Sequence, residues 1–269
     1  MLLSALQSLS RNAFDLVFPD ECRLCERPLR DASRIPVCPA CLALPQPLQS
    51  NFFCRACRTP FVDSYPLDEH DLCTICREGQ VNFDAAYSFG SYDGPLRQLI
   101  HLFKYAKIES LGRPLSSLLI RAMPVDQPVD LVIAMPMHWR KRWERGFNQA
   151  DLLARPLARR YGLPLSTCLR RKRYTQAQAS LSEEQRRENL KDSFVVRKPE
   201  GIRGKRVLLI DDVFTTGATL RAAALTLKQA GAAHVSALTL ARVDRQAFEP
   251  NFVPSGAAPK ALTAGRGVS

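Results

Sequence analysis

Eight of the nine cysteines fall into four Cys-x2-Cys pairs: Cys22/Cys25, Cys38/Cys41, Cys54/Cys57 and Cys73/Cys76. The gaps between pairs are twelve, twelve and fifteen residues. Two intervening residues let both thiolates of a pair reach one ion from a tight knuckle, and two knuckles complete the tetrahedron that Zn²⁺ accepts. Eight ligands make two Cys₄ sites, structural in kind because no position is left for water. Sequential pairing is the simplest arrangement, crossed pairing is its alternative, and an iron–sulfur cluster also takes four cysteines. Disulfides fit poorly with a chain whose start carries no secretion signal. A thioredoxin-type pair does not recur four times outside a βαβ setting. His70, three residues before Cys73, is a substitute ligand or an ordinary loop histidine; Cys168 stands alone and reads as a small apolar filler.

The second chemically loaded stretch is VLLIDDVFTTGAT, from Val207 to Thr219. Four apolar residues run into Asp211 and Asp212, and a small-residue loop leads into a helical pattern. In an open α/β sheet, ligands bind beyond the carboxyl ends of strands. A helix start offers unpaired N–H groups and a positive dipole end, both suited to phosphate. Gly217 lets the backbone come close, and Thr215, Thr216 and Thr219 add hydroxyls around Ala218. The carboxylates suit sugar hydroxyls or a divalent cation. One ligand with ribose hydroxyls beside a 5′-phosphate satisfies both halves. The lysine that would make this a Walker loop is missing.

The elements that must position these groups follow from periodicity. FDAAYSFGSY reads as a strand with a turn, and GPLRQLIHLFKYAK and SLGRPLSSLLIRAM read as helices. DLVIAM is a short apolar strand. FNQADLLARPLARRYG is a helix ending at Gly162 that Pro156 should kink or shift. SEEQRRENL opens on a capping box formed by Ser182 and Gln185. SFVV and RVLLID are strands, ATLRAAALTLKQAG is a helix closed by Gly231, and HVSALTLARV is the last strand. Alternating strands and helices argue an α/β domain with a mostly parallel sheet. The expected organisation is a cysteine module over residues 1–80, the α/β domain over 81–245 and a small-residue tail over 246–269. A net charge of +12 favours acidic partners: phosphorylated metabolites, nucleic acid or anionic surfaces. No apolar run approaches the roughly 20 residues of a membrane span, and the expected location is the cytoplasm.

VLLIDDVFTTGAT resembles the phosphoribosyl-pyrophosphate (PRPP) motif of type I phosphoribosyltransferases. The wider chain, over about residues 15–243, resembles the ComF family of competence-associated, phosphoribosyltransferase-like proteins, GntX-type proteins included. The resemblance rests on the cysteine pairs, HLFKYAK, AMPMHWRKRWERGFNQADLLA, RRKRYTQAQASLSEEQRRENLKDSF and the PRPP motif. It implies a type I phosphoribosyltransferase-like parallel sheet flanked by helices and preceded by a small double zinc ribbon. It implies that Asp211 and Asp212 meet ribose hydroxyls while Thr215, Thr216, Gly217, Ala218 and Thr219 wrap the 5′-phosphate. Met135, Pro136, Met137 and His138 would then form the pyrophosphate loop, with Arg140, Lys141, Arg142 and Arg145 supplying charge. Arg171, Lys172 and Arg173 fall where a catalytic loop would close over pyrophosphate, and Lys104 is a further phosphate contact. Mg²⁺ would accompany PRPP. Two functions stay open: a PRPP- or nucleoside 5′-monophosphate-binding transferase-like protein tied to DNA uptake or utilisation, or a non-catalytic accessory protein that binds single-stranded DNA, works with DNA-uptake proteins and uses the fold as a nucleotide sensor. Trp139 and Trp143, set among the bases, suit stacking on single strands.

Overall fold

VLLI is completely buried because it lies in the middle of a sheet covered on both faces. The computed structural model describes residues 21–29, 35–79, 81–124, 127–172 and 193–243. Within them a small cysteine-rich part carries helix α1 (Pro39–Leu42), strands β1 (Phe52–Phe53) and β2 (Pro60–Phe61), and helix α2 (Thr74–Arg77). Strand β3 (Ala85–Ser91), helices α3 (Gly94–Lys104) and α4 (Gly112–Arg121) and strand β4 (Leu131–Ala134) follow. Next come α5 (Trp139–Arg145), α6 (Gln149–Tyr161), β5 (Leu165–Ser166), β6 (Leu169–Arg171) and β7 (Phe194–Val196). Strand β8 (Arg206–Phe214), helix α7 (Ala218–Gln229) and strand β9 (His234–Arg242) complete the order.

The main sheet is parallel throughout, in the order β3-β9-β8-β4-β5. The expected α/β class is therefore what the structure shows. Side chains alternate along each strand and feed two cores. Val207 and Leu209 of β8 join Leu131, Ile133, Val235, Ala237 and the apolar side of α7; Leu208 and Ile210 join Val132, Leu238, Leu240 and helices α3, α4 and α6. The cysteine part contributes to both. Cys54, Cys57, Cys73 and Cys76 belong to the α7-side core, and Cys22, Val37 and Cys41 belong to the other.

Two expectations change in detail. Strand β8 runs past the aspartates to Phe214, because long β9 keeps pairing with it through Asp211↔Thr239, Val213↔Ala241 and Phe214↔Arg242. Its other neighbour, β4, stops at Ala134 opposite Ile210. The carboxylates thus emerge beyond one neighbouring strand while the other still holds them in register. Helix α6 runs through Pro156 without ending. The proline has no N–H to give to the Leu152 carbonyl one turn back, so the helix continues with one bond of its ladder missing. SFVV forms β7, paired antiparallel with β6 outside the main sheet. The capping box at Ser182 and Gln185, Arg173 and the tail lie outside the described residues.

Candidate functional site

The cysteines divide sequentially. Cys22, Cys25, Cys38 and Cys41 form one cluster and Cys54, Cys57, Cys73 and Cys76 the other, the sulfurs of each within 4.8 Å of one another. Both are built the same way. In the first knuckle, Glu26 N–H donates to the Cys22 carbonyl at 2.8 Å; in the second, Arg58 N–H donates to the Cys54 carbonyl at 2.8 Å. The later pair of each cluster opens a one-turn helix, α1 or α2. Backbone N–H groups point at the sulfurs: Cys38 N to Cys22 Sγ at 3.3 Å, and Cys73 N to Cys54 Sγ at 3.4 Å. Ligands about 2.3 Å from a tetrahedral centre lie roughly 3.8 Å apart. Cys25 and Cys38 sulfurs are 3.8 Å apart, and those of Cys57 and Cys73 are 3.7 Å apart. The donor set and its spacing fit a tetrahedral thiophilic ion in both places. His70 is exposed beside Glu69 and belongs to neither cluster. Cys168 packs against the α7-side core, as a filler should.

The aspartate pair sits where β8 leaves β4 behind. Asp211 Oδ1 accepts from the Asp212 N–H at 2.9 Å, which orients the first carboxylate. Asp212 Oδ1 is 2.8 Å from Lys104 Nζ, with the two side chains only 14% and 13% exposed. Lys104, at the last turn of α3, is thus held as a counter-ion to the acidic pair. Burial pushes the Asp211 carboxyl up to about 7, helped by the negative charge of Asp212 and opposed by Lys104 and Arg171. Beyond the pair, Phe214 turns inward, Thr215 and Thr216 are exposed, and Gly217 caps α7 with φ +73°. A Cβ at Gly217 would lie 2.7 Å from Phe214 Cζ, so the turn needs glycine for its backbone angle and for space. Thr216 Oγ1 accepts from Ala218 N–H at 3.4 Å. Ala218 and Thr219 start the helix, half-buried at its mouth.

The end of β4 faces this turn. Met135 is buried and donates its N–H to the Ile210 carbonyl at 2.8 Å. Its own carbonyl accepts from Asn148 Nδ2 at 3.1 Å. Asn148 also caps α6 through Ala150 N–H, so one residue ties the loop over Met135, Pro136 and Met137 to the helix behind it. His138, buried, caps α5 by accepting from Arg140 N–H at 3.3 Å. Burial, then the nearby Arg171, push its pKa down, which keeps that acceptor nitrogen unprotonated. On α5 the basic run separates by helical spacing. Lys141 and Arg145, four apart, turn inward, while Trp139, Arg140, Arg142 and Trp143 are exposed. Arg145 donates to Gln149 Oε1 at 3.3 Å and lies 5.6 Å from the Tyr105 ring centre. Gln149 is fully buried, and its Nε2 has no acceptor among the described residues. The Lys141 ammonium is pushed down by burial and by the charges of Arg145 and Arg171, and Arg171 also acts on Asp211. Lys104 and Arg171 therefore act on the acidic pair, and Lys141 lies within electrostatic reach of both of them and of Arg145. Lys172 instead lines a groove with Phe194, Pro199 and Arg203.

The sequence pattern assigns no role to Asn148 or Gln149, although both lie in AMPMHWRKRWERGFNQADLLA. It also assigns none to Arg242, whose only trace is a charge closing the apolar strand ALTLARV.

The family model of the phosphoribosyl transferase domain matches residues 146–257. The DNA utilization protein YhgH of Escherichia coli O157:H7 is 32% identical over 235 residues, 84% of this chain and 99% of that one. Competence protein F of Haemophilus influenzae is 32% identical over 213 residues, 72% of this chain and 92% of that one. Among solved structures, adenine phosphoribosyltransferase from Thermoanaerobacter pseudethanolicus is 25% identical, covers 55% of this chain and 79% of that one, and has a TM-score of 0.35. Among the described residues no helix is long and apolar enough to cross a membrane.

Proposed function

Since this chain belongs to the ComF family of DNA utilization and competence proteins, with a phosphoribosyl transferase domain, we propose that it binds PRPP or a nucleoside 5′-monophosphate and serves the uptake or use of external DNA. The observation that carries this reading is the turn after β8. Asp211 and Asp212 precede a glycine-capped helix mouth whose N–H groups and threonine hydroxyls suit a phosphate. On this reading Asp211 and Asp212 take the ribose hydroxyls and residues Thr215, Thr216, Gly217, Ala218 and Thr219 the 5′-phosphate. The loop Met135–Pro136–Met137 offers backbone to pyrophosphate, with charge from Lys141, Arg145 and Arg171. Mg²⁺, when bound with PRPP, would supply further positive charge. Lys104 holds Asp212 until that charge arrives. Both Cys₄ clusters are structural zinc sites, and elemental analysis should find two zinc ions per chain. The proposed division of the chain remains a cysteine module to residue 80, the domain to 245 and a tail, which limited proteolysis tests.

Calorimetry with PRPP, with and without Mg²⁺, tests the site. Tight binding by the wild type and its loss in Gly217→Val support it; equal affinity in the two removes it.

The outward face of α5 supports a partner of a second kind. Trp139 and Trp143 are 72% and 86% exposed, four residues apart, and flanked by Arg140 and Arg142. Stacking rings beside cations suit single-stranded DNA. Binding should weaken with salt by a log–log slope of about −0.7 per phosphate engaged. A Trp139→Ala/Trp143→Ala protein with unchanged single-strand affinity removes this face from the proposal.

A further inference from the structure

Arg242, at the end of β9, is 2% exposed. Nη1 donates to the Cys57 carbonyl at 2.6 Å and Nη2 to Thr59 Oγ1 at 2.7 Å. Thr59, itself buried, has its hydroxyl 2.9 Å from Cys57 Sγ. Both acceptors therefore belong to the knuckle that presents Cys57 to the second cluster. The guanidinium carbon lies 4.8 Å from the Phe214 ring centre. The same ring fills the space against Gly217, at the phosphate loop. Cluster, arginine, ring and loop are in direct contact, link by link.

We propose that Arg242 is a positioning residue that couples metal occupancy of the second cysteine cluster to phosphate binding at the loop after β8. The inference rests on the reading of that loop as the 5′-phosphate site. A metal on the four thiolates fixes the knuckle, and with it the Cys57 carbonyl and the Thr59 hydroxyl. Those two acceptors hold the guanidinium in one place over Phe214. Phe214, pinned between Arg242 and Gly217, holds the turn in the shape that presents its N–H groups. A loop already in its bound shape loses less freedom when phosphate arrives, so it binds more tightly. Loss of the metal frees the knuckle and slackens the series. The coupling must run both ways: a phosphate ligand on the loop strengthens retention of the metal by the same factor. The first cluster, in the core on the other side of the sheet, stands outside this series.

The test uses the full-length, zinc-loaded protein with PRPP as probe. Two quantities are measured: PRPP affinity by calorimetry, and zinc retention against a competing chelator with and without PRPP. In the wild type, PRPP should raise retention of one of the two zinc ions roughly tenfold, an ordinary size for coupled sites, and leave the other unchanged. Arg242→Lys keeps the charge but not the fork; it should weaken PRPP binding by a similar factor and abolish the protection. Thr59→Val, which leaves Arg242 in place, should shift both quantities the same way by less, and it decides the matter if Arg242→Lys does not fold. A purely structural arginine would alter stability without the reciprocal effect. Variants that bind PRPP within about twofold of the wild type, or PRPP that protects neither zinc or both alike, overturn the inference while the loop reading stands. A wild type that binds no PRPP removes the loop reading and the inference with it.

Discussion

The two cysteine clusters share the Cys-x2-Cys spacing within each pair, their knuckle hydrogen bonds and their one-turn helices, yet they are set into the molecule differently. In the second, all four cysteines are buried within the core that holds one face of the sheet, and Arg242 reaches into the knuckle. In the first, Cys25 and Cys38 are half-exposed and only Cys22 and Cys41 are buried. Ligand spacing sets what a cluster can bind. What the bound ion does for the rest of the chain depends on what the knuckles touch. The same chemical unit is half-exposed at the margin of one core of the sheet and fully buried within the other.

The largest effect should come from Cys57→Ser. Structural zinc contributes on the order of 10 kcal/mol of apparent folding free energy in small domains. Loss at the buried cluster should spread to the sheet, lowering global stability by several kcal/mol in denaturant unfolding, with one zinc remaining. Cys25→Ser should also cost one zinc but disturb mainly its own surroundings, with a much smaller shift of the main transition. Equal shifts in the two variants would break the comparison.

Gly217→Val separates the loop from the metal. A valine there must adopt a left-handed backbone, which costs about 1–2 kcal/mol, and collide with Phe214. PRPP affinity should fall at least about tenfold while both zinc ions stay, as titration and elemental analysis would report.

A smaller effect should follow pH. The folded carboxyl of Asp211 is raised to about 7 from an ordinary value of 3.8. Its contribution to stability is therefore full below about 4 and is lost as pH rises through about 7, because the folded state holds the proton more tightly. Ligand binding runs the other way: Mg²⁺ and ribose hydroxyls favour the ionised form, so affinity for PRPP with Mg²⁺ should climb between pH 6 and pH 8. Asp211→Asn should flatten that climb. An unchanged slope would place the titration on another group.

Lys104→Met should have the smallest effect. It removes the partner of Asp212 and should lower stability by about 1 kcal/mol, within the range for removal of a partly screened pair, while making PRPP binding depend more steeply on Mg²⁺. A variant whose Mg²⁺ dependence matches the wild type would return Lys104 to a purely structural place.

Much of this was legible in local pattern. Four Cys-x2-Cys pairs announce their chemistry because both ligands of a pair come from one turn of chain. VLLIDD followed by TTG announces a strand, a site and a helix mouth because all of its parts are contiguous. The helices and strands of the main sheet were readable from apolar spacing, since burial of one face or both imposes a period. Even the inward turn of Lys141 and Arg145 follows from a spacing of four, once α5 is known to be a helix.

Other features could be decided only by tertiary structure. That β8 continues past its aspartates depends on the length of β9, a neighbour in space. That Lys104 neutralises Asp212 depends on α3 ending beside β8. Arg242 meets Cys57 across 185 residues of chain. No period or motif encodes such a contact, because it arises from where the cysteine knuckle lands against the end of a strand. The identity of the clustered cysteines and of the aspartates and glycine at the turn after β8 lay in the sequence, where each short stretch carries its own chemistry. The connection between them lay in the packing, where a buried arginine must find its acceptors wherever the fold brings them.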